Sequence, residues 1–142
     1  MLKNFWNKRL FSSQMYSLII RTDKNILDEI ATELAFNGSK MIRKGSFLNR
    51  ITGKSKINVY KYEKSYEDDE ELSQLSSFLD EIIDRKYFIE KYAKNHIVVI
   101  RLFFQSSQSQ MYFLLNPSII EKLNTIGLPV ELSILSWGQI LG

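Results

Sequence analysis

The chain has 142 residues, 44% hydrophobic and 25% charged, with a net charge of +3. That length supports one domain with a sizeable core, and the composition is that of an ordinary globular protein. The absence of cysteine excludes disulfides, thiolate metal sites and cysteine nucleophiles, and no apolar run reaches the roughly 20 residues of a membrane-crossing helix.

Residues 1–14 read as an N-terminal extension, with Leu2, Phe5, Trp6 and Leu10 spaced for a short amphipathic helix docked on the body. Phe5 and Trp6 with its three cations also suit a membrane-touching anchor, the sharper alternative. The compact domain is expected over 15–142. Tyr16 to Ile20 reads as a first strand. Thr22-Asp23 offers a cap for a helix carrying Ile26, Leu27, Ile30 and Leu34, which Asn37-Gly38 stops. Lys40 to Thr52 reads as a short strand or arm. Around Val59, Tyr60 and Tyr62 lie on one face of an alternating strand.

Glu67 to Glu71 is expected to open a long helix with acids at its favourable end. Leu72, Leu75, Phe78, Leu79, Ile82 and Ile83 form its stripe, and a kink near Asp84 leads to a second piece with Phe88, Ile89 and Tyr92. Ile97 to Phe104 is the strongest strand signal, β-branched and aromatic throughout except for Arg101. Ser106 to Ser109 reads as a polar turn, and Met111 to Leu115 as a return strand. Asn116-Pro117 then starts a helix through Ile119, Ile120, Leu123 and Ile126; Gly127 ends it, and a last strand runs to Trp137-Gly138. The expected fold is a single α+β domain. Its sheet is mixed and largely antiparallel, with five or six strands and helices mainly on one face.

Residues with catalytic potential are few. His96 is the only histidine, and at a strand entrance it reads as structural. Asp80 and Asp84 sit one helical turn apart, as solvated helix acids commonly do. Lys44-Gly45-Ser46 and Gly53-Lys54-Ser55 lack the glycines of a phosphate loop. The expectation is a protein that is not an enzyme and has no cofactor or metal.

Charge segregation is the stronger signal. From Asn37 to Lys64, eight cations stand against Glu63; from Ser65 to Glu90, nine acids stand against Arg85 and Lys86. One reading is two solvated surfaces that steady each other. The functional reading is a partner steered by one of them. The candidate partner-binding residues are Glu67, Asp68, Asp69, Glu70, Asp80 and Asp84 on the acidic side. On the basic side they are Arg43, Lys44, Arg50 and Lys54, with Tyr60 and Tyr62. The same basic segment and tyrosines make nucleic acid the alternative partner, although alternating aromatics on a strand commonly serve packing.

The element order, Lys44-Gly45 after the first helix, and Asn116-Pro117…Leu123…Gly127…Leu132 near the end together resemble the bacterial family called domain of unknown function 4279, over about Tyr16 to Trp137. The basic Lys40–Lys64 arm and the N-terminal extension depart from that pattern. The resemblance implies a small immunity-type protein of the cytoplasm that neutralises a cognate secreted toxin by tight binding. The family supplies no catalytic residues.

Overall fold

A computed structural model describes residues 13–69, 71–108 and 113–139, except for the side chains of 108 and 137–139. The expectations for the N-terminal extension therefore lie outside the described residues, apart from its last two positions. The elements are β1 (Ser13–Thr22), α1 (Leu27–Leu34), β2 (Lys40–Ile42), β3 (Phe47–Asn49), β4 (Gly53–Lys54), β5 (Asn58–Tyr66), α2 (Ser73–Ile83), α3 (Lys86–Ala93), β6 (Ile97–Gln108), α4 (Pro117–Ile126) and β7 (Val130–Gln139). Five strands form one sheet in the order β2-β5-β1-β6-β7, and β3 with β4 form a separate two-stranded hairpin. β1 is central and antiparallel to both neighbours, and β2 pairs antiparallel with β5. β6 and β7 are parallel, which requires a crossover, and α4 provides it. The sheet is thus mixed and mostly antiparallel, as its sequence suggests.

The period-two alternation of the strands divides the sheet into unlike faces. Tyr16, Leu18 and Ile20 of β1 point to one face with Tyr60 and Tyr62 of β5 and Val98, Ile100, Leu102 and Phe104 of β6. All of these join a single core with the buried stripes of the four helices, among them Leu27, Ile30, Phe78, Ile82, Ile89 and Ile119. Aromatic rings fill its centre. Tyr62 stacks on Phe36 at 4.0 Å between centroids and on Phe78 at 5.7 Å, and Tyr16 lies 6.1 Å from both Phe78 and Phe104. Arg85 closes one end. Its guanidinium lies over Phe36 and donates to the carbonyls of Leu34 and Glu81, joining the ends of α1 and α2.

Local rules hold best at α4. The Asn116 side chain accepts from the Ile119 N–H at 2.9 Å, Pro117 occupies the first turn, and Gly127 adopts φ 69°. The break expected near Asp84 falls there, between α2 and α3.

Four expectations are corrected. Thr22-Asp23 does not cap α1, which begins four residues later behind Ile26. Thr22 instead accepts from the Lys24 N–H in a local turn. The acids at 67–71 do not begin α2, because Asp68 and Leu72 adopt positive φ and the helix starts at Ser73. Asp69 caps it from outside, accepting from the Gln74 and Leu75 N–H groups. Ser106 does not begin a turn. β6 continues to Gln108 because parallel pairing with β7 extends along it to Gln108. Of the expected return strand, 111–112 lie outside the described residues and Phe113 to Leu115 form no strand.

Candidate binding surfaces

The second face of the sheet has a different character. It carries Met15, Ser17, Ile19 and Arg21 of β1, Val59, Lys61 and Glu63 of β5, Val99, Arg101 and Phe103 of β6, and Glu131 and Ser133 of β7. Every described helix buries its apolar stripe on the opposite side. The strand register places Glu63, Ser17, Arg101 and Glu131 in one row across four strands. Along that row the Ser17 hydroxyl donates to Glu63 at 3.1 Å, and Arg101 donates to Glu131 at 2.8 Å. Lys61 and Lys40 approach Glu63 at 3.7 and 3.9 Å, and Arg21 approaches Glu131 at 3.9 Å. Met15, Ser17, Lys61, Glu63, Arg101, Phe103 and Ser133 line a shallow groove of about 240 Å³ over the row. Ser17, Ile19 and Val99 are themselves buried, so the face presents two ion-pair clusters together with the half-buried Met15 and Phe103.

A second surface is the arm between β2 and β5. The buried Asn58 roots it, accepting from the Lys44 N–H and donating to the Lys24 carbonyl. Backbone bonds from Gly45 to Ser55 and from Ser55 to Ser46 close its base. At the tip, the Asn49 side chain accepts from the N–H groups of Ile51 and Thr52, which fixes the turn. Phe47 is 68% exposed and Ile51 96% exposed. Arg43 pairs with Asp28 at 2.9 Å. Lys44, Arg50, Lys54 and Lys56 have no ion-pair partner among the described residues.

The residues singled out from sequence are dispersed. Arg43, Lys44, Arg50 and Lys54 do share the arm. Tyr60 and Tyr62 do not reach the surface: they are 0% and 2% exposed and belong to the core, so they cannot stack on a base or meet a partner. Asp69 is likewise buried, and receives the Tyr16 hydroxyl at 2.6 Å besides capping α2. Asp80 pairs with Lys122 at 2.9 Å. Glu67, Asp68 and Asp84 are exposed, and Glu70 lies outside the described residues. Glu81, never a candidate, takes the hydroxyl of Tyr62 and the ammonium of Lys64, and so links the basic segment to the acidic one. His96 lines a broad open depression of about 650 Å³ with Arg21, Asp23 and Lys94. Among the described residues no three histidine or acidic side chains are arranged to hold a metal ion, and no helix is long and apolar enough to cross a membrane.

The apolar run from Ile97 to Phe104 allows one face under helices and the other under a partner, but the charged residues of that second face were not among the candidates. Their signal was Arg101 inside an apolar run and Arg21 closing another, two cations on strands whose neighbours are buried.

The phenols of the core respond to pH. Burial raises the pKa of Tyr16, Tyr60, Tyr62 and Tyr92 above 10.0; for Tyr16 the bond to Asp69 adds to burial, and for Tyr62 the bond to Glu81 does. The unfolded chain ionises its tyrosines near pH 10, so the stability these groups contribute is complete below pH 10 and is lost as pH rises beyond it. We expect phenolate absorbance and loss of circular dichroism to rise together in one transition above that pH. Ionisation of all seven tyrosines while the fold persists would contradict the buried assignment.

These features define a class: a single α+β domain whose described helices cover one sheet face and leave the other lined with paired charges. The chain belongs to the family described as Domain of unknown function (DUF4279), whose sequence profile matches residues 12–137. The match begins at the edge of β1 and ends within β7, so it spans the whole sheet. Comparison with curated proteins and with solved structures gave no match.

Proposed function

We propose that this protein works by binding another protein on the open sheet face, and that the partner is a cognate toxin domain which the complex neutralises in the cytoplasm. The observation that carries the reading is the row Glu63–Ser17–Arg101–Glu131, whose charged members are flanked by the half-buried Met15 and Phe103 over the buried Ile19 and Val99. A central sheet is rigid, and Arg101 and Ser17 are already hydrogen-bonded to Glu131 and Glu63, so less ordering entropy is lost on association than for unpaired side chains. Both signs of charge stand side by side, which gives register and discrimination rather than general stickiness. Binding of this kind blocks a partner by occupying its surface and needs no reacting group.

The test is complex formation with the product of the neighbouring gene. Co-elution at micromolar concentration is expected. Arg101→Gln should weaken the complex by at least about 30-fold, the loss typical of a buried charged contact, and the thermal midpoint of the variant is measured alongside because the Glu131 pair is lost as well. Absence of a complex would contradict the reading.

A second reading, nucleic-acid binding, is favoured by the exposed cations of the arm but loses Tyr60 and Tyr62 as stacking platforms. It requires affinity that falls with each neutralised cation among Arg43, Lys44, Lys54 and Lys56.

A further inference from the structure

The arm carries features that the sheet-face reading leaves unused. From Leu34 to Tyr62 the chain has no acidic residue. Within that stretch the hairpin presents Phe47, Leu48 and Ile51 to solvent, with Ile51 at the turn between β3 and β4. Lys54 pairs directly across from Phe47, and Arg50 adjoins Ile51. Large apolar side chains at a fixed turn gain nothing from water. They are not there because the turn is loose: two backbone bonds to Asn49 define it.

We propose that this hairpin is a docking device for an anionic lipid surface, inserting Ile51, Phe47 and Leu48 among the acyl chains while Lys44, Arg50, Lys54 and Lys56 meet the headgroup phosphates. Three arguments favour a bilayer over other anionic partners. The apolar groups sit on a projection rather than in a groove, and a bilayer accepts a projection without a matching cavity. Aliphatic Leu48 and Ile51 offer no stacking platform for the bases of a single strand, which use aromatic rings. A second copy of this chain is a poor receptor for the apolar tip, because two of its depressions are lined by charged side chains, Arg21, Asp23 and Lys94 in one and Lys86, Glu90 and Lys94 in the other. The combination of apolar insertion and cationic attraction is the physical basis of interfacial binding.

The experiment is co-sedimentation of the purified chain with phosphatidylcholine vesicles, with and without phosphatidylglycerol. Binding is expected only to the anionic vesicles and should decline with added salt. Ile51→Asp should reduce it about tenfold or more through lost apolar burial, and Lys54→Gln or Lys56→Gln about fivefold each. These positions are exposed, so the variants should keep the parent's thermal midpoint, which is measured alongside. Three results would overturn the proposal: no sedimentation with anionic vesicles, equal binding to neutral ones, or binding that survives Ile51→Asp. Loss of a protein or nucleic-acid complex on Ile51→Asp, without vesicle binding by the parent, would assign the hairpin to that partner and also overturn it. Because Arg101 is not in the arm, failure here leaves the sheet-face reading standing.

Discussion

Replacing Asp69 with Ala is expected to lower the unfolding free energy by about 2–4 kcal/mol, although the residue sits in a loop. Its carboxylate caps α2 by accepting from the Gln74 and Leu75 N–H groups, and loss of such a cap costs about 1 kcal/mol. It also receives the hydroxyl of Tyr16, a residue with no solvent exposure. Removing the acceptor strands that hydroxyl, at about 1–3 kcal/mol. The loop is further tied to β1 by the Gln14 side chain, which accepts from the Asp69 N–H. Tyr16→Phe should cost less, because donor and demand disappear together. The double variant should be less destabilised than the sum, as expected for contacting groups. Urea unfolding of the three variants measures this. An Asp69→Ala cost no larger than that of the exposed Asp84→Ala would show that the buried node contributes nothing.

The second large effect is Phe78→Ala, with an expected loss of about 3–5 kcal/mol. Phe78 is fully buried on α2, and its ring lies between Tyr16 of β1 and Tyr62 of β5. Its removal opens a void where helix and sheet meet, and rigid aromatic neighbours cannot collapse into it. Tyr62 would also lose one of its two stacked partners. Unfolding in urea, with a midpoint shift and an unchanged slope, is the expected signature. A cost below about 1 kcal/mol, the range of a surface change, would mean that this cluster is not the centre of the core.

Much of the fold could be read from the chain because its strongest signals are local. Asn116-Pro117 and Gly127 delimit α4 by capping chemistry alone. The stripe from Leu75 to Ile82 specifies the buried face of α2. Where local reading failed, a distant partner had decided the outcome. Ser106 looks like a turn residue, yet β7, arriving through α4, holds it in the sheet. The acids at 67–71 look like a helix opening, yet Gln14 and Tyr16 draw Asp69 inward and delay the helix to Ser73. Candidate site residues fared less well for the same reason. Charge blocks are visible along the chain, but which charges remain free is set in three dimensions: Asp80 goes to Lys122 and Tyr62 turns into the core. The row Glu63–Ser17–Arg101–Glu131 draws on four strands spread over most of the sequence, and only the sheet register assembles it.

Side-chain footprinting addresses the sheet face most directly. Hydroxyl radicals label Met15 and Phe103 according to their access to solvent, and both line the groove beside Arg101. In the complex with the toxin domain, labelling of both should fall severalfold while the exposed Tyr87 on α3 stays reactive. Unchanged labelling of Met15 and Phe103, with protection of Tyr87 instead, would place the partner on the helices and contradict the assignment of the open sheet face as the binding surface.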